Sequence, residues 1–79
     1  MYRIDELVRN GYKFLYESED LKEIDKIIFN LHKLNVACRV LHDDQLLVFL
    51  DGSKHQYMYW KNQYVRDNNM EKKLARLKR

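Results

Sequence analysis

Residues 18–35, Ser-Glu-Asp-Leu-Lys-Glu-Ile-Asp-Lys-Ile-Ile-Phe-Asn-Leu-His-Lys-Leu-Asn, decide the fold. Leu21, Ile24, Ile27, Ile28, Leu31 and Leu34 recur at three- and four-residue spacing, which gathers them into one apolar stripe of a helix. Ser18 supplies a hydroxyl cap, Glu19 and Asp20 place negative charge where the helix dipole is positive, and Asn35 tolerates the conformation that ends a helix.

Upstream of this helix, Tyr12–Tyr16 alternates, with Tyr12, Phe14 and Tyr16 on one side and Lys13 and Leu15 on the other, the period of a strand. The three rings are expected to meet the long helix. Earlier still, Ile4, Leu7 and Val8 have helical spacing and Asn10-Gly11 follows as a cap, which predicts a short N-terminal helix. Downstream, Val36–Leu41 reads as a strand and His42-Asp43-Asp44-Gln45 as a tight connection. Leu46–Leu50 is apolar at every position, as in a strand covered on both faces or central in its sheet. The expected fold is therefore α+β, a three-stranded, mostly antiparallel sheet in the order 1-3-2. This is a split β-α-β unit with a right-handed crossover and the long helix on one face. Its other face would show Lys13, Leu15, Ala37, Arg39 and Leu41, to be covered by the first helix or a second subunit.

Two readings compete after Leu50. Asp51-Gly52 is a hairpin signal and His55–Trp60 is rich in strand formers, so a fourth strand over 55–60 is one of them. The other, which is favoured, is a helix from about Ser53 to Arg66 opened by the capping-box pattern Ser53-x-x-Gln56. At about 100° per residue, Tyr57, Met58, Trp60, Tyr64 and Val65 then fall within roughly 160° of one face, with Tyr59 outside it. Asp67-Asn68-Asn69 interrupts the pattern, and a final basic helix over about 69–79 would carry Met70, Leu74 and Leu77 on one side and Lys72, Arg76 and Arg79 on another.

The chain has 79 residues, no proline and only two glycines, with no linker, repeat or low-complexity segment, so a single domain over 1–79 is expected. A chain this short buries only roughly 60% of its unfolded surface, which favours further burial through a homodimer. One cysteine, Cys38, cannot close an internal disulfide, and a reducing, cytoplasmic location is expected. No apolar run approaches the ~18 residues of a membrane span, and the mixed-charge start does not read as a signal peptide. The net charge of +3 is unevenly placed: residues 68–79 carry five positive charges and one negative, and the rest of the chain sums to −1.

Two constellations invite a binding role. Tyr57, Tyr59, Trp60 and Tyr64 offer the amphipathic aromatic area that anchors protein interfaces, although aromatics in register more often pack a helix onto its sheet. Tyr59, off the packed face, is the ring most expected to touch a partner. Lys72, Lys73, Arg76 and Arg79 make a cationic end that suits nucleic-acid phosphates or an acidic protein surface, or simply solvates the end of a helix.

The histidines do not converge. His42-Asp43-Asp44 and Asp51-His55 lie at opposite ends of the Leu46–Leu50 strand, roughly 20 Å apart at about 3.3 Å per residue, and His32 is on the long helix. Cys38 alternates with Val36 and Val40 as a buried apolar residue would. Gly11 and Gly52 cannot build a phosphate loop, and no CxxC, HExxH or nucleophile elbow is present. No catalytic residue, metal or cofactor is expected. Lys/Asn/Tyr/Ile-rich usage, absent proline and short length resemble small accessory proteins of phages and mobile elements in AT-rich bacteria. The expectation is a non-enzymatic regulatory or inhibitory protein that works by protein–protein contact through its aromatic and basic C-terminal surface. The alternative is a dimeric nucleic-acid-binding protein that uses the basic end.

Overall fold

The computed structural model describes residues 1–66. Four strands, β1 (Tyr2–Val8), β2 (Gly11–Ser18), β3 (Cys38–His42) and β4 (Gln45–Leu50), form one antiparallel sheet in the order β2-β1-β3-β4. Helix α1 (Leu21–Lys33) links β2 to β3, and α2 (Lys54–Trp60) follows β4 and continues as a π-helical segment, Lys61–Arg66. Both helices lie on one face, where Ile4, Val40, Cys38 and Leu50 from the sheet meet Ile24, Ile28, Tyr57 and Trp60 from the helices in a single core. No described helix is long and apolar enough to cross a membrane.

Helix α1 is capped by Asp20 and not by Ser18, where the hydroxyl cap is expected, because Leu21 is its first residue. The Asp20 carboxylate accepts from the Lys22 N–H, and Ser18 stands two residues outside the cap, its hydroxyl accepting from the Asp20 N–H. At the other end Asn35 adopts φ 57°, the Asn35 N–H donates to His32 O and the Val36 N–H to Leu31 O, which satisfies two of the carbonyls in the last turn of the helix. Ser53 caps α2, its hydroxyl accepting from the Gln56 N–H at 3.2 Å, so residues 55–60 are helix and the fourth strand lies elsewhere.

That strand is β1, where a short helix is expected. Ile4, Leu7 and Val8 satisfy a helical period, but a single seven-residue helix is marginal alone, whereas β1 has ladder partners on both sides. Asn10-Gly11 serves a hairpin instead of a helix cap: Val8 pairs with Gly11, whose φ of 136° is one that L side chains rarely adopt. The split β-α-β unit is present, as β2-α1-β3, with β1 between its strands and antiparallel to both.

The arrangement displaces the order 1-3-2 and moves the all-apolar strand from the centre of the sheet to its edge. β4 is apolar on both sides because Val48 and Leu50 face the helices while Leu46 and Phe49 lie on the opposite face.

Each edge strand carries a bulge. Ile4 pairs with Tyr16 and Asp5 with Phe14, which leaves Leu15 as the extra residue of β2, and Leu47 has the same role in β4. The bulge at Leu15 breaks the expected alternation. Tyr16 stays on the helix side, donating its hydroxyl to Glu23 at 3.0 Å, and Leu15 packs against the core. Phe14 and Tyr12, opposite Asp5 and Leu7, fall on the other face, so these two rings do not meet α1 and the open face differs from the one the alternation predicts.

Gly52 pins the end of β4 beneath α1. A Cβ there would lie 2.9 Å from the Asn35 carbonyl carbon and 3.1 Å from the Val36 N, both backbone, and its φ is +89°. The expected result for Gly52→Ala is a loss of about 2 kcal/mol or more in urea unfolding, since neither the backbone clash nor the φ can relax cheaply.

Candidate functional site: the open face of the sheet

The sheet face away from the helices is built in rows fixed by strand register. Phe14, Asp5, Arg39 and Phe49 pair in succession across β2, β1, β3 and β4, and Glu17, Arg3, Leu41 and Leu46 form a second row. Tyr12 and Leu7 pair beyond the first row. Leu7, Tyr12, Phe14, Leu46 and Phe49 are each between 41% and 62% exposed, so most of the large exposed apolar side chains of the sheet share this one face.

At its centre Asp5 is 3% exposed and held by two arginines. Arg3 donates from Nε to Oδ1 and from Nη2 to Oδ2, both at 3.2 Å, and Arg39 donates from Nε to Oδ2 at 2.9 Å. The Arg39 guanidinium also lies 3.8 Å from the centroid of the Tyr12 ring. A buried carboxylate without these donors would be costly, and the arginines in turn are held against it, with Arg3 Nη1 also 3.8 Å from the exposed Asp44 carboxylate. Asp5 is in this way both the polar centre of the face and the group that orients Arg3 and Arg39. Leu41 lies in the adjacent row, almost fully covered.

The aromatic residues singled out near the C-terminus divide. Trp60 is 0% exposed and Tyr57 is buried beside it. Asp25 on α1 accepts from the Tyr57 hydroxyl at 3.2 Å and from the Trp60 Nε1–H at 3.0 Å, which ties α2 to α1. Tyr64 stacks on Trp60 and donates its hydroxyl to the Leu47 carbonyl at 3.2 Å, inside the bulge of β4. Tyr59 is 47% exposed, next to the exposed Met58. The area of Tyr57 and Trp60 is thus used within the fold, and Tyr59 is the ring of the group that faces solvent. Lys72, Lys73, Arg76 and Arg79 lie outside the described residues.

Other titratable groups play structural parts. His32 stacks on Tyr57 with ring centroids 5.2 Å apart, its Nδ1 3.1 Å from Gly52 O, and these residues with Ile28, Cys38 and Leu50 line a cavity with room for about one water molecule. His42 stacks on Tyr2, far from His55. Among the described residues no group of three His, Cys, Asp or Glu side chains is placed to hold a metal ion. Burial pushes the Cys38 thiol up to about 11, a poor nucleophile at neutral pH.

The sequence reading overlooks Arg3, Asp5, Leu7, Leu46 and Phe49 as surface-forming residues. The usable signal is Asn10-Gly11 between two apolar-rich runs: read as a hairpin, it makes Tyr2–Val8 a strand and puts Arg3, Asp5 and Leu7 on one side. No family model, curated protein or solved structure matches this chain.

Burial, then the neighbouring Asp25, pushes the Tyr57 phenol up to about 12. Because its folded pKa lies above the ordinary value of 10.0, its contribution to stability is complete below about pH 10 and is lost as pH rises from 10 through 12. Ultraviolet titration of the folded protein should show that Tyr57→Phe removes the tyrosine pushed up to about 12 and leaves Tyr16, raised by its hydrogen bond to Glu23, in place, together with a smaller alkaline loss of stability.

Proposed function

We propose that this chain is a non-enzymatic regulatory or inhibitory binding protein that acts by protein–protein contact, and that the open face of the sheet is its contact surface. One observation carries the reading: Leu7, Tyr12, Phe14, Leu46 and Phe49 are gathered on a single exposed face around a charge cluster that is already internally paired. An apolar face with a satisfied polar centre can be covered by a partner without stranding an uncompensated buried charge. The exposed pair Met58 and Tyr59 is a smaller, separate contact point on α2.

A second reading, nucleic-acid binding, has in its favour the basic end of the sequence, Lys72, Lys73, Arg76 and Arg79, and aromatic rings beside arginine on an open sheet, which is how bases are stacked by some single-strand binders. The charges of the two rows weigh against it. Arg3 and Arg39 are balanced by Asp5 and Glu17, so the face offers no excess of cations for phosphates.

Affinity capture with the tagged full chain, from an extract of the source cells with and without nuclease, separates these readings. The expected result is a stoichiometric protein that survives nuclease, is retained by Tyr59→Ala and is lost with Phe14→Glu. Retention of that protein by a folded Phe14→Glu variant would overturn the assignment of the surface. Salt-sensitive capture of nucleic acid alone would overturn the protein-contact reading.

A further inference from the structure

We propose that the partner seated on the open face is a second copy of this chain, paired face to face about a two-fold axis that runs between β1 and β3. The inference rests on the reading of that face as a protein-contact surface and names its occupant.

The argument comes from the order of residues along the first row. Read from β2 to β4 it is Phe14, Asp5, Arg39, Phe49. Turned through a two-fold axis parallel to the strands and laid on itself, the row is reversed. Phe14 then faces Phe49 of the second copy, Asp5 faces Arg39, Arg39 faces Asp5, and Phe49 faces Phe14. Aromatic meets aromatic at both ends, and in the middle the Asp5 position lies over the Arg39 position twice, with these charges already paired within each copy and no like charges opposed, which is the self-complementarity an isologous interface requires. In the second row Glu17 and Leu46 exchange places in the same way, as do Arg3 and Leu41, so no like charges are opposed.

The electrostatics favour this occupant over a strongly charged one. Arg3, Arg39, Asp5 and Glu17 sum to zero, and a neutral surface of mixed charge is complementary to its own rotated copy but not to a polyanion. Two sheets packed in this way would form a sandwich about 10 Å thick between backbones, the usual packing of antiparallel sheets with one uncovered face. Four strands at about 4.8 Å and six residues at about 3.3 Å give a footprint of roughly 400 Å² in plan. Stable interfaces take about 800 Å² of accessible surface per partner, so even allowing for side-chain relief this pair is at the small end and a dissociation constant on the order of micromolar is expected.

Sedimentation velocity on the purified full chain, from about 1 to 200 μM, reads the equilibrium directly. The wild type should move from monomer to dimer over that range. F14E and F49K change exposed side chains and should leave the circular dichroism of the monomer unchanged, yet each should weaken the dimer at least about tenfold because each alters both ends of the row pair. The double variant F14E/F49K, whose new charges are opposite in sign and face each other twice across the axis, should recover most of the loss. A wild type that stays monomeric throughout overturns the self-pairing, while the capture result with Phe14→Glu still decides the broader reading of the face. A dimer indifferent to F14E and F49K is formed elsewhere and also overturns it. A double variant no better than either single variant overturns the reversed-row geometry, and a gain in mass that requires added oligonucleotide overturns the choice of a second copy.

Discussion

Strand β1 is hydrogen-bonded along both edges, to β2 on one side and β3 on the other, and the rest of the sheet depends on that double pairing. It joins two hairpins, β1-β2 and β3-β4, that are far apart in the chain, and it sets the register that brings Ile4 beside Val40 in the core and Asp5 beside Arg39 on the open face. A slip of one residue in β1 would exchange those faces, burying Arg3 and Asp5 under α1 and exposing Ile4. The contact of Asp5 with Arg39 acts against such a slip, since Arg3 travels with Asp5 on the same strand whereas Arg39 lies opposite the carboxylate only in the observed register. Packing of Ile4 against the helices and ion pairing of Asp5 therefore specify the same alignment from opposite sides of the sheet.

What was legible in the sequence was written locally. The stripe from Leu21 to Leu31, the end of α1 near Asn35 and the Ser53-x-x-Gln56 cap each involve residues a turn or two apart, and each corresponds to an element of the fold, whereas Leu34, expected in the stripe, is the C-cap and is exposed. The central strand was not legible, because Ile4, Leu7 and Val8 fit the helical period and what overrides it is a ladder to residues 38–42, remote in sequence. The bulges were equally hidden. Nothing in the alternation of Tyr12, Phe14 and Tyr16 marks Leu15 as the extra residue, yet that one residue decides which rings meet α1 and which lie on the open face.

The aromatic residues show how far burial is settled by a distant polar group. Trp60 and Tyr57 have polar atoms that must be satisfied if the rings are to lie in the core, and Asp25, on a different helix, accepts from both. From the C-terminal segment alone these rings look as suited to an interface as to a core. Tyr12 and Phe14, by contrast, sit on a strand that reads as half-buried, and they are accessible because both described helices pack on the opposite face of the sheet.

The two bulges have a consequence for how the molecule can associate at all. An open sheet has two free margins, and a straight, apolar margin invites the strands of other molecules to add one after another without limit. Here Leu15 kinks one margin and Leu47 the other, and at Leu47 a carbonyl is already taken by the Tyr64 hydroxyl. Growth sideways is interrupted at both boundaries, which leaves stacking over the flat of the sheet as the less obstructed route. Assembly by that route stops when two faces have met, so the same irregularities that obscure the strands in the sequence favour a closed particle over a fibre.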